Sequence, residues 1–189
     1  MIKLYGTEVV VNHFPDKTQL IKIKDKVDDV GYVFENMCRA IIEWKYESDE
    51  ELVTLIYLVN HMRDKMEIDD IYLKMLYIPN ARMDRTNSAY EAFTLKYFCG
   101  IINSLNFTSI EVLDAHSNVS LALLDRVVEI NPIKYIQEAI NRVRNEEFHY
   151  EDIVLFFPDN GSMKRYTKII KNISDVSYCH GEKERDWRN

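Results

Sequence analysis

The chain has 189 residues, 47% of them hydrophobic, which is enough for one large domain or for one domain and part of another. Its formal net charge of -7 argues against a general binder of nucleic acid or anionic membranes, because such proteins present a basic face. The three cysteines are far apart and form no CxxC motif, which is typical of reduced thiols in cytosolic proteins. With no signal-peptide pattern and no apolar stretch of membrane-spanning length, the sequence predicts a cytoplasmic protein.

The first part of the chain predicts antiparallel β-structure. The runs "EVVVNHF" and "TQLIKIK" are rich in β-forming residues, and the second alternates polar and apolar side chains. Pro15 and Asp16 lie between the two runs and predict a turn. The run "GYVFENM" is a third candidate strand.

Helices and strands are then expected in alternation. Two S-x-x-E capping boxes, Ser48 with Glu51 and Ser88 with Glu91, predict the starts of the helices "ELVTLIYLVNHMRDKM" and "AYEAFTLKYFCGIINSL". Strands are expected in "IDDIYLKMLYIP" and "SIEVLDAH", and a short helix and a strand through "LALLDRVVEI". This alternation predicts an α/β fold with a parallel sheet flanked by helices.

The most plausible seam between two lobes lies at residues 131–150. Asn131 and Pro132 are suited to the N-cap and first position of the helix "IKYIQEAINRV". The strand "DIVLFFPD", the helix "SMKRYTKIIKNI" and the apolar run "DVSYCH" follow. We therefore divide the chain into domains at 1–130 and 131–189.

Ligands of open parallel sheets bind beyond the carboxyl ends of the strands. Three loops of this sequence follow such ends, namely "NARMDR", "LDAHSN" and "FPDNGSMKR", and the segment "GEKER" follows the last strand. In the first loop, Arg82 and Arg85 can donate pairs of hydrogen bonds to phosphate oxygens, and Asp84 could orient a guanidinium or contact a metal through water. The alternative is a surface ion-pair cluster at a helix entrance.

The second loop carries Asp114 and His116, whose side chains are expected on the same face because they are two residues apart at a strand end. Such a pair could hold a divalent ion or share a proton. The alternative is an N-cap aspartate beside a hydrogen-bonded histidine. Neither an HExxH motif nor a Cys/His zinc spacing occurs in the chain.

The third loop places Asp159, Asn160 and Gly161 at the start of a helix. Helix N-termini attract phosphate, and an acidic residue there attracts a sugar hydroxyl or hydrated Mg²⁺. The alternative is an ordinary N-capping turn. Lys183 and Arg185 in the last segment would by themselves be taken for solvated charges.

Taken in order, the motifs "FPDKTQ", "YIPNARMDR", "VLDAHS", "FPDNGSMKR" and "GEKERD" resemble those of ribose-phosphate pyrophosphokinases over essentially the whole chain. The resemblance implies a phosphoribosyltransferase-like (type I) α/β fold. It also implies an N-terminal ATP-binding domain at 1–130 and the first part of a second, similar domain at 131–189, which includes the catalytic loop.

The resemblance also implies roles for individual residues. Arg82, with Asp84 and Arg85 in the same loop, would bind the ATP phosphates. His116 would take part in catalysis by meeting the Mg²⁺ that the nucleotide phosphates hold. Asp159 would bind the ribose side and its metal.

Further roles concern residues of the second domain. Asn160 and Gly161 belong to the turn that would face the ribose phosphate. Lys183 and Arg185 would stabilise charge on the transferred pyrophosphoryl group.

Phe14 and Asp16 would contact adenine, usually across a subunit boundary, so a homo-oligomer is expected. The implied reaction transfers pyrophosphate from ATP to ribose 5-phosphate and releases AMP.

Several positions depart from the family pattern. Met83 replaces a glutamine, Thr18 replaces a glutamate and Ser162 replaces a glycine. The N-terminus is shorter than in typical members, as in the short forms of phages and small-genome bacteria, and the chain ends before the loop that grips ribose 5-phosphate. Two alternatives stay open: another ribosyl acceptor such as ADP-ribose, or a non-catalytic nucleotide-binding homologue that regulates a full-length synthetase.

Overall fold

The computed structural model describes residues 1–23, 38–145, 153–171 and 176–182. The chain divides into two compact units, Met1–Ile130 and Asn131–Asn189. The division falls after Ile130, at the boundary that we place from the sequence. The ligands assigned to each domain stay predictions.

The first unit contains a six-stranded sheet, a two-stranded hairpin and three helices among its described residues. The strands are β1 (Ile2–Leu4), β2 (Thr7–Glu8), β3 (Val10–His13), β4 (Gln19–Lys22), β5 (Arg39–Trp44), β6 (Asp70–Met75), β7 (Ser109–Leu113) and β8 (Val127–Ile130). The helices are α1 (Glu50–Met66), α2 (Thr94–Ser104) and α3 (Asn118–Leu123).

The sheet has the strand order β2-β1-β5-β6-β7-β8. Strands β5 to β8 are parallel to one another, whereas β1 pairs antiparallel with β5 and β2 pairs antiparallel with β1. The expectation of an α/β fold with a mostly parallel sheet flanked by helices is thus confirmed. The predicted turn at Pro15 and Asp16 is confirmed too, because β3 and β4 form an antiparallel hairpin on either side of it.

Strand β5 has one buried side and one side that is exposed or half-buried. Ala40, Ile42 and Trp44 are fully buried on one side of the strand, while Arg39 and Glu43 are exposed. Strand β5 is absent from the sequence predictions, which place a strand at "GYVFENM" instead. That run lies outside the described residues.

Both predicted capping boxes are wrong. Helix α1 begins at Glu50, and the Glu51 carboxylate accepts hydrogen bonds from the Glu47 N–H (2.8 Å) and the Trp44 indole N–H (3.1 Å) instead of closing a box with Ser48. Helix α2 begins at Thr94, five residues after the expected start.

The second pattern, Ser88 with Glu91, builds a turn instead of a helix start. The Glu91 carboxylate accepts from the Asn87 N–H (2.9 Å), and the Ser88 hydroxyl oxygen accepts from the Tyr90 N–H (3.3 Å). Residues 76–93 therefore form one long loop between β6 and α2, called the arginine loop below.

The described residues of the second unit form helix α4 (Ile133–Asn145), strand β9 (Val154–Phe157), helix α5 (Asn160–Ile170) and strand β10 (Ser177–His180). Strands β9 and β10 are parallel. Phe157 stacks on Tyr166 of α5 with ring centroids 6.2 Å apart. The predicted N-cap of α4 is confirmed, since Asn131 Oδ1 accepts from the Ile133 N–H at 2.9 Å.

A search of the described residues finds no helix that is both long and apolar enough to cross a membrane.

Candidate functional site

Loops from three neighbouring strands leave one edge of the sheet in the first unit. Met75 at the end of β6 pairs in parallel with Trp44 of β5 and with Val112 of β7. The β5–α1 connection, the arginine loop and the loop that carries His116 therefore all begin at this edge, which we call the carboxyl edge. It is where open parallel sheets bind ligands.

The base of the arginine loop is anchored by apolar side chains. Ile78 and Ala81 are buried, and Met83 packs against the same core. The Ala81 N–H donates to the Ile78 carbonyl (3.3 Å) and the Met83 N–H to the Asn80 carbonyl (2.9 Å). Asn80 has φ of 62°, a left-handed conformation that asparagine tolerates better than most residues.

This anchoring turns the charged residues of the loop outward. Arg82 and Arg85 are exposed and Asp84 is half-buried, in alternation with the inward Ala81 and Met83. Within the described parts of the chain, the side chains of Arg82, Asp84 and Arg85 form no ion pair and no hydrogen bond. The alternative, a surface ion-pair cluster, is therefore not seen there, and two guanidinium groups face solvent at the carboxyl edge.

The His116 loop differs from the sequence expectation. Strand β7 ends at Leu113, and Asp114 is left-handed with φ of 51°. Strand alternation stops there and does not place Asp114 and His116 on one face, so their pairing stays a prediction. The alternative of Asp114 as an N-cap is wrong, because Ser117 precedes α3.

Backbone contacts nevertheless fix the start of this loop. The Asp114 N–H donates to the Ile130 carbonyl (3.1 Å), and the Ala115 N–H donates to Glu129 Oε1 (3.2 Å). Ala115 is buried and His116 is exposed beside it. His116 is thus held at the carboxyl edge by the two residues that precede it.

The tip of the β3–β4 hairpin carries Phe14 and Asp16. Phe14 is 49% exposed. Asp16 Oδ1 accepts from the Thr18 hydroxyl (2.7 Å) and the Thr18 N–H (3.0 Å), and these bonds lower the pKa of the Asp16 carboxyl. Thr18, which departs from the family pattern, therefore orients Asp16. In the residues that the structure describes, no hydrogen bond or ion pair joins this tip to the arginine loop.

In the second unit, Asp159 caps helix α5. Asp159 Oδ1 accepts from the Ser162 N–H (2.8 Å), while the Ser162 hydroxyl donates to the Asp159 carbonyl (2.7 Å) and accepts from the Asp159 N–H (3.2 Å). A Cβ on Gly161 would lie 3.2 Å from Asp159 Oδ1. We call residues 158–162 the Asp159 turn, and its geometry is that of an N-capping turn.

The chain leaves β10 alongside this turn. The Gly181 N–H donates to the Phe157 carbonyl (2.9 Å), and a Cβ at Gly181 would lie only 3.0 Å from the Pro158 carbonyl oxygen. The absence of a side chain at Gly181 therefore permits a close backbone approach. Lys183 and Arg185 follow it in sequence but lie outside the described residues.

The predicted site residues in the described part of the chain are divided between the two units. Arg82, Asp84, Arg85 and His116 belong to loops of one sheet edge in the first unit. Asp159, with Asn160 and Gly161 in the first turn of α5, belongs to the second unit. A search of the described residues finds no group of three or more His, Cys, Asp or Glu that could hold a metal ion by itself.

Two residues of the carboxyl edge were missed by the sequence analysis. Tyr46 and Tyr77 each lie two residues past the paired Trp44 and Met75, and their rings meet edge to face with centroids 6.2 Å apart. A tyrosine at the same offset beyond two neighbouring strands is the signal that could have identified them. This signal can be recognised only if the end of β5 is known, and β5 is not among the strands predicted from the sequence.

No protein-family profile matches the chain. It is 21% identical over 183 residues to ribose-phosphate pyrophosphokinase 2, chloroplastic, of Arabidopsis thaliana, which covers 96% of this chain and 43% of the relative. Ribose-phosphate pyrophosphokinase 1, chloroplastic, of Oryza sativa subsp. japonica is 21% identical over 142 residues, 75% of this chain and 35% of the relative. The chain thus spans less than half the length of these curated relatives.

The fold matches the crystal structure of phosphoribosylpyrophosphate synthetase from Mycobacterium smegmatis with a TM-score of 0.71 and 16% sequence identity. The match covers 95% of this chain and 57% of that chain. The chain therefore has the α/β fold of that synthetase. Together with the sequence similarity, this supports a relationship to the ribose-phosphate pyrophosphokinases.

Proposed function

We propose that this chain is the ATP-binding part of a ribose-phosphate pyrophosphokinase and that its arginine loop binds the ATP phosphates. The observation that carries the proposal is the pair of exposed guanidinium groups, Arg82 and Arg85, on a loop whose base is fixed by buried residues. The chain as a whole is acidic, with a formal net charge of -7, so a triphosphate needs such a local concentration of positive charge.

Arginine suits this role better than lysine. Its planar guanidinium donates paired hydrogen bonds to phosphate oxygens and stays charged at all physiological pH values. The loop base packs Ile78, Ala81 and Met83 inward, so less conformational entropy is lost when ATP binds than would be lost by an unanchored loop. Asp84, half-buried between the two arginines, would contact a metal through water.

The proposed reaction transfers the β,γ-pyrophosphoryl group of ATP to ribose 5-phosphate. The C1 hydroxyl oxygen attacks the β-phosphorus, the bond from that phosphorus to the α,β-bridging oxygen breaks, and AMP leaves with that oxygen. The hydroxyl proton is released. Catalysis of this kind depends on positioning and charge neutralisation, for which Lys183 and Arg185 are the proposed catalytic pair and Asp159 to Gly161 the proposed ribose-phosphate side.

Magnesium is the expected cofactor. Mg²⁺ usually keeps several waters and is bound through substrate phosphates and one or two protein groups. The scarcity of acidic clusters among the described residues fits an ion that arrives with the nucleotide. His116 would meet it at the nucleotide phosphates, whereas Asp159 would offer a carboxylate to the metal of the ribose side. When bound, Mg²⁺ would neutralise phosphate charge.

One observation favours a second candidate, a nucleotide-binding homologue without catalysis. Asp159 already makes three hydrogen bonds with Ser162 that cap helix α5, a structural role that needs no catalysis. Such a protein would bind Mg-ATP and regulate a full-length synthetase. A homo-oligomer, in which Phe14 and Asp16 would contact adenine across a subunit boundary, and a cytoplasmic location also belong to the proposal.

The test is AMP release from Mg-ATP, measured by chromatography with ribose 5-phosphate, with ADP-ribose and without an acceptor. Release that requires ribose 5-phosphate, and that Arg82→Ala reduces but Arg142→Ala does not, supports the proposed reaction. Release of AMP only with ADP-ribose would identify ADP-ribose, and not ribose 5-phosphate, as the acceptor. Binding of Mg-ATP without any AMP release would support the non-catalytic candidate, and no binding at all would contradict both.

A further inference from the structure

The first turn of the arginine loop is tied to the loop that follows β5. The Tyr77 hydroxyl donates a hydrogen bond to the Tyr46 carbonyl at 2.7 Å, and the two rings meet edge to face at an interplanar angle of 84°. Tyr77 immediately precedes the buried Ile78, where the anchored base of the loop begins. The bond therefore joins two neighbouring loops of the carboxyl edge.

A second hydrogen bond continues the connection to helix α1. The Tyr46 hydroxyl donates to Asp49 Oδ1 at 2.6 Å, and this bond raises the pKa of Tyr46 to about 12. The hydroxyl thus remains a donor throughout the physiological pH range. Asp49 directly precedes α1 but makes no side-chain cap, because its carboxylate faces Tyr46 instead.

The first turn of α1, which follows Asp49, contacts the hairpin. The Gln19 side-chain amide donates to the Glu50 carbonyl (3.3 Å) and to Glu50 Oε1 (3.2 Å), and its own oxygen accepts from the buried Thr54 hydroxyl (3.1 Å). His13 Nε2 also contacts Glu50 Oε1. Asp49 is therefore connected through Tyr46 to the arginine loop, and the adjacent Glu50 contacts the strands of the hairpin that carries Phe14 and Asp16.

We propose that the first turn of α1 is a positioning element shared by both nucleotide segments, and that Tyr77 and Tyr46 are positioning residues for the arginine loop. They act through Arg82 and Arg85 and contact no reacting atom themselves. An effect of these tyrosines on Mg-ATP binding rests on the proposed function. Their holding the arginine loop in one conformation does not. The two consequences can be tested separately.

Trypsin offers a direct readout of the loop, because it cleaves after Arg82 and Arg85, both exposed. Native-state cleavage follows the population of locally opened chain. Tyr77→Phe keeps the ring contact and removes only the hydroxyl, so we expect cleavage at these two arginines of the full-length chain to become about three- to tenfold faster. Mass spectrometry would quantify it against cleavage after Arg142.

Tyr57→Phe is the matched control. Tyr57 is a 56% exposed tyrosine of α1, and its hydroxyl makes no hydrogen bond within the described residues. We expect it to leave both cleavage rates unchanged. An equal rate in Tyr77→Phe and wild type would overturn the positioning role of Tyr77.

Tyr46→Phe tests whether α1 takes part. This variant keeps the carbonyl that accepts from Tyr77 and loses only the bond to Asp49. We expect a smaller increase in cleavage than in Tyr77→Phe. No increase at all would remove the first turn of α1 from the proposal.

Calorimetry of Mg-ATP binding with the same variants addresses the chemistry. If the arginine loop binds phosphates in its closed conformation, Tyr77→Phe should weaken binding by a smaller factor than it speeds cleavage, because affinity follows the closed fraction of the loop and cleavage follows the open one. Turnover at saturating ATP should stay close to wild type. Faster cleavage in a chain that never binds Mg-ATP would support the positioning role and contradict the proposed function. Unchanged cleavage in a chain that binds Mg-ATP would support the proposed function and contradict the positioning role.

Discussion

The arginine loop and the Asp159 turn both follow parallel strands, yet their polar side chains are used differently. In the arginine loop, apolar residues make the anchoring contacts, and Arg82 and Arg85 form no ion pair in the described parts of the chain. In the Asp159 turn, the anchoring is done by the candidate residue itself, through three hydrogen bonds with Ser162.

The difference shows whether a structural contact already explains why each candidate residue occurs at its position. Helix capping accounts for an aspartate at position 159, because replacing such a cap by alanine costs about 1 kcal/mol. Among the described residues, no hydrogen bond or ion pair gives the two outward arginines a comparable structural role. The phosphate-binding assignment is therefore supported by geometry at Arg82, whereas the ribose-side assignment of Asp159 rests on the resemblance.

The largest expected effect belongs to the segment beyond Gly181. If Lys183 acts on charge that develops in the transition state, Lys183→Ala should lower turnover on the order of a hundredfold and change Mg-ATP affinity far less. Steady-state kinetics and calorimetry measure the two quantities. Equal losses in both would mean that Lys183 binds the ground state.

Two substitutions at Asp159 separate its cap from its charge. Asp159→Ala removes the acceptor for the Ser162 N–H and should lower the free energy of unfolding by about 1 kcal/mol. Asp159→Asn keeps an oxygen acceptor and should retain most of that stability. Urea unfolding reports the stability.

The same pair of variants decides the role of the carboxylate in the reaction. If Asp159 binds the ribose side, Asp159→Asn should raise KM for ribose 5-phosphate although the protein is stable. Wild-type kinetics in Asp159→Asn would show that the residue is a helix cap only.

A smaller effect is expected at Met83, where the family has glutamine. Met83 packs against the core, so Met83→Gln buries an amide in place of a thioether and should cost about 1 kcal/mol of stability or less. The midpoint of urea unfolding would fall while the slope stays constant. A more stable Met83→Gln variant would contradict the apolar anchoring of the loop.

The smallest effect concerns alkaline pH. Tyr46 has a pKa raised to about 12 in the folded chain, above the ordinary value of 10.0. Its contribution to stability is therefore fully present below pH 10 and is lost as the pH rises from about 10 to about 12. Thermal unfolding across this range should show a shallower decline in Tyr46→Phe, and parallel curves would contradict the Tyr46–Asp49 bond.

The sequence patterns were most reliable where one local signal sufficed. The hairpin turn at Pro15 and Asp16 and the N-cap at Asn131 depend on neighbouring residues, and both were predicted correctly. Strand β5 was missed because Ile41 interrupts its polar alternation. The Ser88–Glu91 pattern failed because those side chains bond to Asn87 and Tyr90 in a turn.

The candidate site shows the same limit. Arg82 and Arg85 are exposed because Ala81 and Met83 pack inward. Sequence reasoning that considers only the charged residues does not detect this packing. The bond between Tyr77 and Tyr46 joins residues 31 positions apart and depends on the register of β5 and β6. Long-range register of this kind is set by the packed sheet and is not encoded in a short window of sequence.

The most direct test of the central claim is calorimetric titration of the wild-type chain and of Arg82→Ala with Mg-ATP, with Arg142→Ala as the control. If the arginine loop binds the triphosphate, wild type and Arg142→Ala should bind equally, and Arg82→Ala should bind more weakly by about 1.5 kcal/mol or more. Equal affinity in all three proteins would exclude Arg82 from the nucleotide site and contradict the account.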